Sequence, residues 1–161
     1  MDLIKILRNA FLVVFACLIL SACATKKVSG PAGQMQGDVY TGTDTVEYLA
    51  DGVPDRVFFA TNESILTTRS RDTLRKQAGW LRENSDVNVV LEGHADERGT
   101  REYNLALGER RANAVKDYLL TYGISGSRLS VISYGKERPV NSGSNPLAWS
   151  QNRRSVTVKA E

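Results

Sequence analysis

The chain has two cysteines, Cys17 and Cys23, and one histidine, His94, in 161 residues. A single histidine without spare thiols is too thin a donor set for a zinc centre. Two cysteines cannot build the disulfide framework of a small secreted scaffold. No Gly-x-Ser-x-Gly elbow and no phosphate-cradling P-loop occur, so neither a serine hydrolase nor a nucleotide hydrolase is indicated. Charge of one sign is nowhere concentrated. The formal net charge is +3, bases and acids are interspersed, and no basic run carries interleaved aromatics, which argues against nucleic-acid binding. Long apolar runs are also missing: the longest, Phe11 to Leu20, is too short to span a bilayer comfortably.

That short run is nonetheless informative. Lys5 and Arg8 precede it, and Leu20-Ser21-Ala22-Cys23 closes it. A positive start, an apolar middle and small residues before a cleavage point form a secretion signal. An ordinary signal cut near Ala22 or Ala24 is one reading. The other is a lipoprotein signal, because Leu-Ser-Ala-Cys closely resembles the lipobox, which makes Cys23 the acylated first residue of the mature chain. Cleavage would then remove two bases and one acid with Cys17, taking the charge from +3 to +2 and leaving no possible disulfide. One acyl chain holds a membrane only marginally, whereas two or more anchor it stably. Ala24 stands where an aspartate would resemble an inner-membrane retention signal, so the expected destination is the outer membrane.

Three segments are expected: a signal over 1–22, an acylated cysteine and flexible tether over 23–52, and a folded domain over 53–161. The tether reading rests on Gly, Ser, Thr, Gln and Asp enrichment, with Ser29-Gly30-Pro31 as its plainest stretch. Such a segment has an r.m.s. span of roughly 30 Å and a stretched limit near ~90 Å.

Within the domain, residues 56–60 read as a β-rich run after Pro54. Leu74, Ala78 and Leu81 mark an apolar stripe on a helix over 69–84, with Thr68 as its cap. Val87, Val89 and Leu91 alternate on a strand over 87–92. Residues 102–122 are the clearest helix, with Gly108, Ala112, Val115, Leu119 and Tyr122 in one row and Leu107, Arg111, Ala114 and Tyr118 in the next. Strands over 129–134 and 154–158 follow, and 138–146 reads as loop. The order β-α-β-α-β-β, with right-handed crossovers, predicts an α/β (α+β sandwich) fold, a mixed sheet with both helices on one face.

The densest motif is Gly93-His94-Ala95-Asp96-Glu97-Arg98-Gly99-Thr100, followed by Tyr103-Asn104-Leu105 and Glu109-Arg110-Arg111-Ala112. It places Asp96 just past a strand end, where function gathers, and Arg111 on a semi-apolar helix row, where a guanidinium needs a partner. Two readings stand. Asp96 can cap its own turn while Arg111 pairs with Asp96 or Glu109. Alternatively the two hold a zwitterion, the carboxylate facing an ammonium and the guanidinium forking onto a carboxylate, with the following helix N-terminus adding N–H groups for the anion. His94 beside Asp96 also invites an acid/base reading, against which stands a strand-end histidine bonded to nearby backbone. Phe59 reads as core or as an apolar pocket wall. Arg153-Arg154 read as a solvated pair or as support for the site loop.

These motifs, with Val57-Phe58-Phe59, Ser133-Tyr134-Gly135-Lys136-Glu137-Arg138-Pro139 and Asn152-Arg153-Arg154-Ser155-Val156, resemble the peptidoglycan-binding family named for the C-terminal domain of outer membrane protein A, and its lipoprotein branch in particular. The resemblance covers about 53–161. It implies a non-enzymatic protein without cofactor or metal that binds the peptidoglycan stem peptide at meso-diaminopimelate. Asp96 would meet the ammonium and Arg111 the carboxylate, with Phe59, Ala95, Thr100, Asn104 and Leu107 lining the pocket. Thr61 departs from the Phe or Asp usual in the family's first-strand motif. The resemblance also implies the Tol system as partner, its propeller protein TolB competing with peptidoglycan, and an outer-membrane lipid anchor on the periplasmic face.

Overall fold

A computed structural model describes residues 35–160, all within one unit, Ala32–Glu161. The signal segment, Cys23 and the first part of the expected tether lie outside the described residues. Two hairpins come first: β1 (Met35–Gln36) pairs with β2 (Val39–Tyr40), and β3 (Tyr48–Ala50) with β4 (Val53–Pro54). This differs from a tether running to residue 52. Gly37 and Gly52 turn the two hairpins in the left-handed region. Tyr40 is fully buried, its ring edge-on to Phe58 at 4.8 Å, and Leu49 is buried too. Two apolar anchors thus hold down a segment whose average composition is polar.

The remaining elements are β5 (Arg56–Phe58), α1 (Thr68–Glu83), β6 (Val89–His94), α2 (Arg101–Thr121), β7 (Leu129–Gly135), α3 (Pro146–Asn152) and β8 (Arg154–Lys159). Among the described residues β5 to β8 form one mixed sheet in the order β5-β8-β6-β7, with β6 and β7 parallel and β8 antiparallel to both its neighbours. The mixed α/β architecture expected from the element order is the one observed. Thr67, one residue before the expected cap, closes α1 by accepting from Ser70 N at 3.1 Å. Beyond the hairpins, one helix was not expected. Asn145 caps α3 through Ala148 N at 3.0 Å, and Pro146 sits in its first turn, so residues that read as loop end in a helix.

The stripe Leu74, Ala78 and Leu81 of α1 and the row Ala112, Val115 and Leu119 of α2 pack with Val57, Phe59, Val89 and Leu91 in one core. Burying one such aliphatic side chain contributes about 1.5–3 kcal/mol. Both long helices therefore lie on one sheet face, and the strand pleat sends alternate residues to the other.

Candidate ligand-binding site

The site forms where β6 ends against α2. Gly93 and Gly108 let strand and helix backbones touch: a Cβ on Gly93 would stand 1.8 Å from Gly108 O. Ala95 N donates to Gly135 O at 2.7 Å, tying the loop after β6 to the end of β7. Gly99, in the left-handed region, then turns the chain into α2, whose cap is Thr100.

Arg111, one helical turn past Gly108, is fully buried at 0% exposure. It donates from Nε to Glu63 O at 2.8 Å, from Nη1 to His94 O at 2.8 Å and from Nη2 to Ala60 O at 3.0 Å. Its guanidinium lies over the Phe59 ring at 5.3 Å. Among the described residues it pairs with no carboxylate, so the structural ion pair with Asp96 or Glu109 is not formed. Burial first, then repulsion from Arg153, pushes its pKa down to about 10, with Asp96 opposing. Three of the five guanidinium N–H groups are thus spent on carbonyls, and two remain for an anion.

Asp96, 7% exposed, is held by two arginines. Arg98 forks onto it, Nε to Oδ1 at 3.1 Å and Nη2 to Oδ2 at 2.6 Å, and its backbone N adds a bond of 3.1 Å to Oδ1. Arg153 Nη1 reaches Oδ2 at 3.2 Å. Burial works to raise the Asp96 carboxyl, but the bonds from Arg98 and Arg153 outweigh it and hold the group below the usual carboxylate range. The Arg98 guanidinium rests on the Trp149 ring at 4.4 Å. Arg153 also donates to Phe59 O at 3.2 Å and to Asp38 O, and Asp38 Oδ2 accepts from Thr61 N at 2.6 Å.

The other expected residues gather here, in different roles. Phe59 is both core and the surface beneath Arg111. Ala95 and Leu107 are buried. Asn104 Nδ2 donates to Arg98 O at 2.8 Å and so fixes the loop. Thr100 takes the Tyr103 N–H at 3.2 Å and, through its carbonyl, the Asn104 N–H at 3.2 Å, leaving fewer helix N–H groups for an anion than the sequence suggests. His94 bonds the Glu92 carboxylate at 3.3 Å rather than backbone. Arg153 and Arg154 are both buried, not solvated, and Arg153 supports the site loop. Arg98, Asp38 and Trp149 were missed. Only Arg98, two residues from Asp96 in the same turn, carries a local signal. Among the described residues no cluster of three His, Cys, Asp or Glu side chains fits a metal, and no helix is long and apolar enough to cross a membrane.

Known proteins share this sequence and fold. The model of the OmpA family matches residues 58–153. The peptidoglycan-associated lipoprotein of Mesorhizobium japonicum is 44% identical over 154 residues, covering 94% of this chain and 92% of that one. The crystal structure of the peptidoglycan-associated lipoprotein from Burkholderia pseudomallei superposes with a TM-score of 0.64 at 35% identity, over 66% of this chain and 90% of that one. The C-terminal domain of Helicobacter pylori MotB matches at 0.62 with 19% identity, over 66% of this chain and 84% of that one, a likeness of fold alone.

Proposed function

The chain belongs to the OmpA family, and from that premise we propose that it is a non-enzymatic outer-membrane lipoprotein that grips the cell wall. In this reading Cys23 carries the acyl chains, residues 24–34 lead to the domain, and the domain binds peptidoglycan stem peptides at meso-diaminopimelate. The name its relatives carry, peptidoglycan-associated lipoprotein, supports the wall as ligand. Attachment at both ends raises local concentration, so a modest single-site affinity suffices for persistent anchoring. Work with the Tol system and TolB, in support of envelope integrity and division, belongs to the same proposal.

The observation that carries the site assignment is Arg111: fully buried, fixed by three main-chain carbonyls and, among the described residues, without a carboxylate partner and with two donors unspent. A ligand carboxylate supplies the missing charge in a low-dielectric setting, and the Arg111 fork is already oriented. Asp96, ionised at neutral pH, faces the ligand ammonium. In the structure Arg98 holds that carboxylate, so the ammonium either displaces the Arg98 fork or shares Asp96 with it.

A second reading rests on that same fork: Asp96 is already satisfied by Arg98 and Arg153, which suits a protein-interaction module whose main ligand is TolB or another envelope protein. Calorimetric titration of the full chain with a stem peptide containing meso-diaminopimelate, and with the lysine analogue that lacks the side-chain carboxylate, separates the two. Binding of the first alone upholds the zwitterion site. Equal binding, or none, transfers the assignment to the protein partner.

A further inference from the structure

The sheet face turned away from α1 and α2 holds a second concentration of buried charge. Thr157 Oγ1 donates to Gln77 of α1 at 2.8 Å, and Val57 lies in the core, so the alternate residues Arg154 and Val156 on β8 and Arg56 on β5 point the other way. The register sets Arg56 opposite Val156 and Glu92 opposite Val156, bringing β5, β6 and β8 together there. Glu92 and His94 of β6 complete the patch. Arg138, from the loop after β7, leans over it with its guanidinium 3.7 Å from the Tyr134 ring centre. Together these side chains line a cavity of about 580 Å³.

Its charges are unevenly matched. Arg56 takes two carboxylates, a fork from Asp55 at 2.8 and 2.6 Å and Glu47 at 3.5 Å. Glu92 sits on His94. Arg138 and Arg154 form no ion pair among the described residues. Arg154 is 6% exposed, and its Nη groups reach only the carbonyls of Asn152 at 3.4 Å and Arg138 at 3.1 Å. Its Nε–H is buried without any acceptor, and His94 Nδ1 is buried without any partner. A native fold seldom leaves such groups unmatched. Burial, then Arg56, pushes the Arg154 pKa down to about 10. Burial, then Arg154, Arg56 and Arg138, pushes His94 down to about 3. Among the side chains lining the cavity four cations, Arg56, Arg138, Arg154 and Lys159, face three carboxylates, Glu47, Asp55 and Glu92, and Arg138 and Arg154 act on Glu92 through space without forming an ion pair, so the cavity is net positive.

We propose that this cavity is an oxyanion site, separate from the Asp96–Arg111 site, that takes a doubly charged phosphate group between Arg138 and Arg154. Two unpaired guanidiniums call for two negative charges, and the Arg154 Nε–H calls for an acceptor oxygen. With its Nε2–H turned to Glu92, His94 presents a bare Nδ1 that needs a donor, and the one hydroxyl of hydrogenphosphate is such a donor. A halide has neither the charge nor the hydroxyl. A single carboxylate has one charge and no donor. The phosphate arrives either free in solution, as hydrogenphosphate, or as a monoester lipid headgroup, whose dianion brings the two charges without the hydroxyl.

The test is calorimetric titration of the full chain with inorganic phosphate at pH 7 and constant ionic strength, for wild type and Arg138→Gln. Arg138 is a surface loop residue, so this variant folds, and its binding of the stem peptide stays unchanged. Saturable phosphate binding that weakens roughly tenfold or more in Arg138→Gln is the expected result. No saturable heat, or the same affinity in both proteins, overturns the proposal. Arg154→Gln should abolish binding, with circular dichroism confirming its fold. Co-sedimentation of a Cys23→Ser chain with phosphatidylcholine vesicles, with and without phosphatidic acid, assigns the source. Capture by the phosphatidate vesicles identifies a headgroup, and phosphate binding without capture identifies a soluble phosphate, both upholding the site.

Discussion

Replacing Gly93 with alanine should cost more than any other single methyl group in this domain. The added Cβ would lie 1.8 Å from Gly108 O and 2.4 Å from its carbonyl carbon, both main-chain atoms of α2. No rotamer relieves a clash between two backbones. To reach ordinary contact, α2 must retreat by about 1.5 Å, which strips dispersion contacts from Ala112, Val115 and Leu119 in the core. Overpacking alone costs about 1–3 kcal/mol, and the gap opened along α2 adds to it, so about 3 kcal/mol or more is expected. Against a total of about 5–15 kcal/mol that is a large loss, and it corresponds to a fall in melting temperature of roughly 10 °C or more. Arg111 travels with α2, so its three carbonyl bonds loosen and sacculus binding falls as well. Thermal unfolding followed by circular dichroism at pH 7 reads the first effect and sedimentation with purified sacculi the second. Gly79→Ala is the control: nothing lies within 4 Å of its added Cβ, and helix propensity favours alanine there by roughly 0.5–1 kcal/mol. A fall of under about 3 °C in Gly93→Ala would refute the close-approach argument.

Asp96→Asn and Arg111→Lys should each reduce sacculus sedimentation severely, the first by removing the charge and the second by losing the fork; undiminished sedimentation of both would sink the zwitterion site. Burial, then the neighbouring arginines, pushes His94 from its ordinary 6.5 in the unfolded chain down to about 3 in the fold. The unfolded chain therefore binds the proton first, and the fold loses roughly 1 kcal/mol per pH unit as pH drops below about 6. Urea midpoints at several pH values should show this slope, and His94→Gln should flatten it. Tyr40→Ala empties a fully buried position beside Phe58 and should destabilise the domain by about 3 kcal/mol, against no effect if residues 35–52 were a loose tether. Chemical denaturation decides between them.

The elements legible in the sequence are those whose period outlasts their length. The 21 residues of α2 give six turns of pattern, and β6 shows its alternation in Val89 and Leu91. The hairpins over 35–54 have strands of two or three residues, too short to display any period. Their stability comes from Tyr40 reaching Phe58, eighteen positions away, which local composition cannot signal. The seven-residue α3 likewise depends on its cap at Asn145 more than on any stripe. In the site, Asp96 stood out by its place in a glycine-containing turn just past a strand end, and Arg111 as the one charge in the helix row of Leu107, Ala114 and Tyr118. Asp38 and Trp149 did not, because the contacts that bring them to the site, with Arg153 and Arg98, span 115 and 51 positions.

The buried arginines share one physical logic, and it explains why adjacent Arg153 and Arg154 do different work. The pleat at the start of β8 sends them to opposite faces of the sheet. Arg153 meets Asp96 and Asp38, so its charge is answered within the fold, and it holds the site carboxylate ionised and in place. Arg154 meets only carbonyls, and its charge is answered incompletely. Arg111 is like Arg154: carbonyls fix its direction while leaving its charge without a counterion. A guanidinium held this way has already lost its water and its rotamer freedom on folding, so a ligand anion need not supply either cost on binding. His94 stands between the two: its carbonyl accepts from Arg111 on the helix side, while its ring lines the cavity on the other. Carbonyl fixation without a carboxylate does not by itself mark a binding cation: Arg128 donates to the carbonyls of Leu81, Asn84 and Val87 and pairs with no carboxylate among the described residues. What sets Arg111 and Arg154 apart, and carries both proposed sites, is that their carboxylate-free guanidiniums are also buried, unlike the partly exposed Arg128 and unlike Arg56, Arg98 and Arg153, whose charges are answered by carboxylates.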